Sequence, residues 1–183
     1  MADLQQYVPG PASAAQVQKD GDKWTLVLAR VLRHSPEKVW QALTDPAHLH
    51  EWAPFDADGS LSKPGTVNLT WVGTGRTLET RVTRAEAPKV LEYNDIRWQL
   101  EPLGGGTRLT LWHSIDHRFI AMGAAGWHIA FDVLDRLLNG NPIGRIGGAD
   151  AIKLKEWQRL NAEYAKQFGT KAPNWPPKAS HGE

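Results

Sequence analysis

The sequence predicts an α+β fold in which one long helix lies across the concave face of a curved antiparallel sheet of about six or seven strands. Three observations lead to this prediction. Two helix starts follow each other directly, at Ser35-Pro36 and at Asp45-Pro46. Apolar residues recur at every second position between Thr66 and Ser114, and they recur at helical spacing after Ala121. Short turns separate the alternating segments, which is typical of antiparallel neighbours.

The first predicted elements are one strand and two short helices. The segment from Trp24 to Arg33 is rich in Leu and Val and is therefore predicted to be a strand. Helices are then expected near 36–43 and 46–52. Ser35 and Asp45 can cap these helices through their side-chain oxygens, and the proline after each suits the first helical position. This helix pair is expected to close one end of the curved sheet.

A meander of strands follows, and glycine- and proline-containing turns separate its members. The predicted strands are 66–72, 77–85, 90–93, a continuation through Ile96, Trp98 and Leu100, and 107–114. On the last of these, Leu109, Leu111 and His113 share one face because side chains alternate along a strand. We expect that face to point toward the interior.

Helical periodicity begins at about Ala121 and ends at Leu138, before Asn139-Gly140. The apolar stripe consists of Trp127, Phe131, Leu134 and Leu138, at positions i, i+4, i+7 and i+11. A further amphipathic helix is predicted from about 149 to 168, and Gly169 stops it. A sheet with one apolar face must be covered, and the helix that carries Trp127 is the only long one available to cover it.

The chain has 183 residues, which favours one domain. We expect a flexible N-terminal arm over 1–20, the folded domain over 21–169 and a C-terminal tail over 170–183. The net charge of +1, from 21 basic and 20 acidic residues, argues against a nucleic-acid surface. No apolar run is long enough to span a membrane. The absence of cysteine excludes disulfides and fits a cytoplasmic protein.

Three segments carry a resemblance to a known family. They are Val39-Trp40-Gln41-Ala42-Leu43-Thr44-Asp45-Pro46 with Leu49 and Trp52, Gly106-Thr107-Arg108-Leu109-Thr110-Leu111 with His113, and Gly126-Trp127-His128 with Asp132, Leu134 and Leu138. With these segments the chain resembles the START-like (SRPBCC, Bet v-like) superfamily. Within that superfamily it resembles the family named after the activator of heat-shock-protein-90 ATPase, homologue-1-like. The likeness spans roughly 22–168 and implies a helix-grip fold, whose members include lipid binders, polyketide cyclases and co-chaperones.

The sequence leaves three functions open. The first is binding of a hydrophobic or aromatic small molecule in a cavity between sheet and helix, which would also fit the many tryptophans. The second is a cyclase-, dehydratase- or hydrolase-like enzyme. The third is a co-chaperone-type interaction protein, with a protein partner or a second copy of the chain. The expected ligand-binding residues are Trp52, Leu69, Trp71, Trp98, Leu111, His113, Trp127, His128 and Phe131.

The enzyme alternative depends on His128 and Asp132, which lie at i and i+4 on one helix face. Asp132 could accept a hydrogen bond from His128 and fix its tautomer, which would make His128 a general acid–base. Alternatively, His128 lies on a solvent-exposed helix face or hydrogen-bonds to the backbone. His113 could likewise be a core histidine whose hydrogen bonds are satisfied within the protein. We expect neither a cofactor nor a metal site, because no histidines and carboxylates have ligand spacing.

Overall fold

A single antiparallel sheet of eight strands curls around one long helix in the computed structural model, which describes residues 7–171. The strands are β1 (Ala15–Asp20), β2 (Lys23–Leu32), β3 (Phe55–Ala57), β4 (Gly65–Trp71), β5 (Thr77–Glu86), β6 (Val90–Tyr93), β7 (Ile96–Leu103) and β8 (Gly106–Ser114). The helices are α1 (Pro36–Thr44), α2 (Pro46–Trp52), α3 (Ile120–Leu138), α4 (Gly148–Lys153) and α5 (Lys155–Phe168). The strand order is β1-β2-β8-β7-β6-β5-β4-β3, so β2 pairs with the last strand, β8, and β1 and β3 are the two edges. The fold class is confirmed, with one or two strands more than expected.

The additional strands lie at the two edges of the sheet. β1 pairs with β2 from Ala15↔Leu28 to Asp20↔Lys23, so the end of the expected N-terminal arm is part of the sheet. Its sequence AQVQKD has only two apolar residues, Ala15 and Val17, and this alternation is too short to predict a strand. β3 is only three residues long. Residues 1–6 of the expected arm and 172–183 of the expected tail lie outside the described residues.

The two short helices begin as predicted. Ser35 Oγ accepts a hydrogen bond from the Lys38 N–H over 3.3 Å, and Asp45 Oδ1 accepts one from the Ala47 N–H over 2.9 Å. The indole N–H of Trp52 donates to the Ala42 carbonyl over 2.9 Å, which joins the end of α2 to α1. These bonds satisfy backbone groups that helix ends leave unpaired.

α3 buries its apolar stripe as predicted. Trp127, Phe131, Leu134 and Leu138 are between 0% and 7% exposed. The sheet contributes the alternating residues of its concave face, such as Leu109 and Leu111 on β8, which are fully buried. α5 packs beside α3 rather than on the sheet, since it contacts α3 more than any other element. The core therefore lies between α3 and the concave face.

The second amphipathic helix, predicted as continuous, is in fact broken. Leu154 has an extended backbone (φ −70°, ψ 125°) and separates α4 from α5. The local sequence Lys153-Leu154-Lys155 contains neither Gly nor Pro, so it shows no breaker signal. Gly169 ends α5 in the left-handed conformation (φ 67°), as predicted.

Candidate functional site

Large aromatic side chains fill the centre of the gap between α3 and the sheet. The ring of Trp98 on β7 lies 5.4 Å from that of Trp127 and 5.9 Å from that of Phe131, measured between centroids. Trp52 approaches Trp98 edge-on at 6.2 Å. None of these four rings is more than 4% exposed. Such edge-to-face contacts are typical of a packed aromatic core.

The sequence predicts that all four of these residues bind a ligand in an internal cavity. In the structure, Trp52, Trp98 and Phe131 pack against other side chains in the core. Leu69 and Leu111 lie in the same core, with exposures of 1% and 0%. These five residues are therefore part of the packed core.

One end of the gap brings together three of the predicted residues. Trp71, at the end of β4, is half-buried, and its ring stacks on that of His113 at 6.3 Å with an interplanar angle of 17°. Trp127 on α3 donates its indole N–H to Nδ1 of His113 over 3.0 Å. The site therefore combines a partly exposed indole face with a histidine fixed from the helix side. We call Trp71, His113 and Trp127 the rim site.

The electrostatics of the rim site follow from the burial of His113. Burial lowers the pKa of His113 to about 4, against the opposing charge of Asp95, so the imidazole is neutral at pH 7. Since Nδ1 accepts the bond from Trp127, the ring proton must be on Nε2. Within residues 7–171, Nε2 has no hydrogen-bond partner, and it is not among the side-chain atoms buried without one. The rim site thus presents one neutral N–H donor beside an aromatic face.

The strand that carries Trp71 is held in place from two sides. Phe55 on β3 packs edge-on against the Trp71 ring at 5.2 Å. The loop after α3 approaches the chain just beyond Trp71, where a Cβ atom on Gly148 would lie only 2.8 Å from the Gly73 Cα. Gly148 has φ +57°, so glycine suits this position both by conformation and by space. Arg145 in the same loop binds Asp56 over 2.6 Å.

His128 and Asp132 lie on a different side of α3, toward α5 and the N-terminal segment. Nδ1 of His128 is 2.7 Å from the hydroxyl of Tyr164 on α5, and the imidazole is 3% exposed. Its Nε2 is 3.7 Å from Oδ2 of Asp132, which is beyond hydrogen-bond distance. The expected His128–Asp132 hydrogen bond is therefore not formed, and His128 does not join the rim site.

Asp132 is instead bound by residues that the sequence did not indicate. Arg30 on β2 donates to Oδ1, and Tyr7 donates to Oδ2, each over 2.5 Å. Burial lowers the pKa of His128 and raises that of Tyr164, which keeps both groups neutral near pH 7. Tyr7 and Arg30 are more than 100 residues from Asp132 in sequence, so no local pattern could have connected them.

Among the helices of residues 7–171, none is long and apolar enough to cross a bilayer. Within 7–171, no three His, Cys, Asp or Glu side chains come together in a way that could hold a metal ion.

A family model described as activator of Hsp90 ATPase homolog 1-like protein matches residues 33–139. None of the curated proteins matches the sequence. A conserved protein of unknown function from Enterococcus faecalis has a similar structure, with 17% identity and a TM-score of 0.66, covering 85% of this chain and 90% of that one.

Two further solved structures are similar. CalU16 from Micromonospora echinospora is 19% identical with a TM-score of 0.61, covering 85% of this chain and 94% of that one. DynU16, described as a protein in the dynemicin biosynthetic locus, is 20% identical with a TM-score of 0.58. The match covers 67% of this chain and 50% of DynU16. At such identities these similarities establish the fold.

Proposed function

This chain belongs to the family of activator of Hsp90 ATPase homolog 1-like proteins, and we propose that it binds a small molecule at the rim site. The proposed ligand is a flat aromatic compound that carries a hydrogen-bond acceptor. The observation that supports this most is the state of His113. A neutral imidazole with its Nε2–H unpartnered beside the Trp71 ring is suited to a carbonyl or phenolate oxygen on an aromatic ring. The ligand would stack on Trp71 and accept a hydrogen bond from Nε2.

The packed aromatic core favours this position over a deep one. Trp52, Trp98 and Phe131 would have to change rotamers before a ligand could enter between them, and close-packed interiors resist such changes. At the rim, Trp71 is already half-exposed. Next to Trp127, a Cβ atom added to Gly126 would find no heavy atom within 4 Å, so there is open space beside the helix.

The enzyme and co-chaperone alternatives receive less support. Nδ1 of His128 is engaged by Tyr164, and both carboxylate oxygens of Asp132 are engaged by Tyr7 and Arg30. The large apolar residues that are exposed within 7–171 are Val8, Val31, Leu103 and Phe119, on four separate segments. Scattered apolar residues of this kind are normal and do not make a protein-binding patch. The similar protein DynU16 is described as a protein of the dynemicin biosynthetic locus. From this similarity we take only the general class of ligand, a small molecule, for this chain.

A matched pair of probes tests the proposal. 2-Acetylnaphthalene carries a carbonyl acceptor, and 2-ethylnaphthalene has nearly the same shape without one. Calorimetric titration should show that the protein prefers the ketone by about three- to tenfold, the worth of one neutral hydrogen bond. The variant His113→Phe should lose this preference while still binding both probes.

The control variant changes a different apolar recess on the surface, which is lined by Trp24, His117 and Thr170 among others. His117 is well exposed and lies outside the rim site. The variant His117→Ala should leave both affinities unchanged. An equal affinity for ketone and hydrocarbon in the parent protein, or a loss of binding in His117→Ala alone, would contradict the proposal.

A further inference from the structure

A cluster of polar side chains lies beneath the N-terminal segment, on a different side of α3 from the rim site. Arg30 comes from β2, His128 and Asp132 come from α3, and Tyr164 comes from α5. The segment 7–14, which we call the strap, runs over this cluster and contributes Tyr7 to it. The strap has no helical or strand structure. The cluster is therefore covered by an irregular piece of chain.

Tyr7 fills a recess under the strap. Its side chain is buried, with 6% exposure, whereas the neighbouring Val8 is 68% exposed. The phenol hydroxyl donates to Oδ2 of Asp132, and the guanidinium of Arg136 lies over the ring at 5.5 Å. Cation–π contact and a charged acceptor together recognise a phenol at both its face and its hydroxyl.

The strap is held mainly by side chains of α5. Arg159 donates to the Pro9 carbonyl over 2.7 Å, and the Ala12 N–H donates to Glu163 over 2.8 Å. The Ser13 N–H donates to the Tyr164 hydroxyl over 3.1 Å. Arg159 and Glu163 are themselves partly exposed, so water competes for these bonds. Such a segment can detach without unfolding the sheet.

Detachment would leave a site whose polar groups are already oriented. Oδ1 of Asp132 keeps the bond from Arg30, while Oδ2 loses its only donor within the described residues. The carboxylate is 18% exposed, so a bound molecule would exclude most of the remaining water. An acceptor of this kind, next to a ring-sized recess capped by Arg136, selects a phenolic hydroxyl over an apolar aromatic.

We propose that the recess under the strap is a second binding site, specific for phenolic small molecules, and that Tyr7 occupies it as an internal competitor. A ligand enters when the strap opens, so its apparent affinity is the intrinsic affinity multiplied by the open fraction. The site is separate from the rim site and does not depend on the function proposed for it.

The test uses 4-methylphenol, which has the structure of the tyrosine side chain itself, and toluene, which lacks the hydroxyl. Calorimetric titration should show affinities for 4-methylphenol that rise from the parent protein to Tyr7→Phe and then to Tyr7→Ala. Tyr7→Ala should bind 4-methylphenol at least about tenfold more tightly than the parent protein does, because its strap no longer competes for the recess. Tyr7→Ala should prefer 4-methylphenol to toluene by about tenfold, the worth of a hydrogen bond to a charged acceptor. Val8→Ala should behave like the parent, since Val8 is exposed.

Hydrogen exchange in the parent protein gives a second measurement that does not require the variant to fold. Saturating 4-methylphenol should speed exchange of the Ala12 and Ser13 amides, whose partners are on α5, and should leave that of Leu111 in the sheet unchanged. Equal binding of 4-methylphenol and toluene to Tyr7→Ala would overturn the proposal. So would unchanged exchange of the strap amides in a parent protein shown to bind the phenol.

Discussion

Trp127 donates its indole N–H to Nδ1 of His113, and this 3.0 Å bond joins the long helix to β8, the last strand along the chain. The bond has two consequences. It satisfies the one polar group of a tryptophan that is only 4% exposed. It also holds the His113 proton on Nε2, where a ligand could reach it. The long helix thus sets the chemistry of the proposed rim site as well as covering the sheet.

The first prediction concerns stability and pH. The pKa of His113 is about 4 in the folded protein and about 6.5 when unfolded. Between these values the unfolded chain binds a proton that the folded protein does not, so the free energy of unfolding falls as the pH falls from about 6.5 to about 4. The loss from this residue should be on the order of 3 kcal/mol.

Urea unfolding at pH 7 and pH 4.5 measures this effect. His113→Phe removes the titrating group, so its stability should change less over the interval than that of the parent. Protonation of His128 also lowers the free energy of unfolding as the pH falls, because burial lowers the pKa of His128 too. This contribution is present in both proteins. The comparison between parent and variant therefore isolates His113, and equal pH dependence in the two proteins would mean that His113 titrates normally.

A second prediction concerns the Trp127–His113 bond itself. Trp127→Phe keeps an aromatic ring in the core and removes the donor. A hydrogen bond to the neutral form of a base disfavours its protonation, so losing that bond should raise the pKa of His113. An NMR titration of the imidazole resonances checks the direction. An unchanged or lower pKa would show that the bond does not help to hold His113 neutral.

The third prediction tests whether the gap is filled. Leu134 on the stripe of α3 is fully buried, so Leu134→Ala should lower the free energy of unfolding by about 2–5 kcal/mol. Leu103→Ala, at a position 41% exposed, should change it by no more than about 0.5 kcal/mol. A loss below about 1 kcal/mol for Leu134 would indicate a void beside the helix.

A fourth prediction concerns the loop that approaches Trp71. Gly148 and Gly140 both have positive φ, at +57° and +73°, but only Gly148 has backbone atoms where a Cβ would lie. Gly140→Ala should cost about 1–2 kcal/mol through left-handed strain. Gly148→Ala should cost clearly more in chemical denaturation, because Gly73 must also move. Equal losses would mean that the loop does not press on this strand.

Most of the fold was predictable because its elements carry local signals. The caps at Ser35 and Asp45 and the stripe from Trp127 to Leu138 are properties of short segments, and the structure confirms them. The missed features lack such signals. β1 is a polar edge strand that exists through its pairing with β2, and the break at Leu154 is in a segment with good helix formers.

The candidate site was predictable only in part, because alternation shows which face a residue is on and not what meets it there. It placed His113 on the inner face of β8 correctly, but whether that face encloses a cavity depends on ring sizes and rotamers across the gap. Trp98 and Phe131 fill the space that the sequence left for a ligand. The partner of His128 is Tyr164 and not Asp132, since helix spacing brings two residues near each other without fixing their rotamers.

The measurement that tests the rim site most directly is the imidazole NMR spectrum of His113 at pH 7, with and without 2-acetylnaphthalene. We predict a neutral ring protonated on Nε2 in the free protein. On addition of the ketone, the Nε2–H resonance should shift downfield and exchange more slowly with water, as it becomes a hydrogen-bond donor to the carbonyl. 2-Ethylnaphthalene should produce neither change. A ring protonated on Nδ1, or an Nε2–H resonance that the bound ketone leaves unmoved, would contradict the assignment of His113 as the polar contact of the ligand.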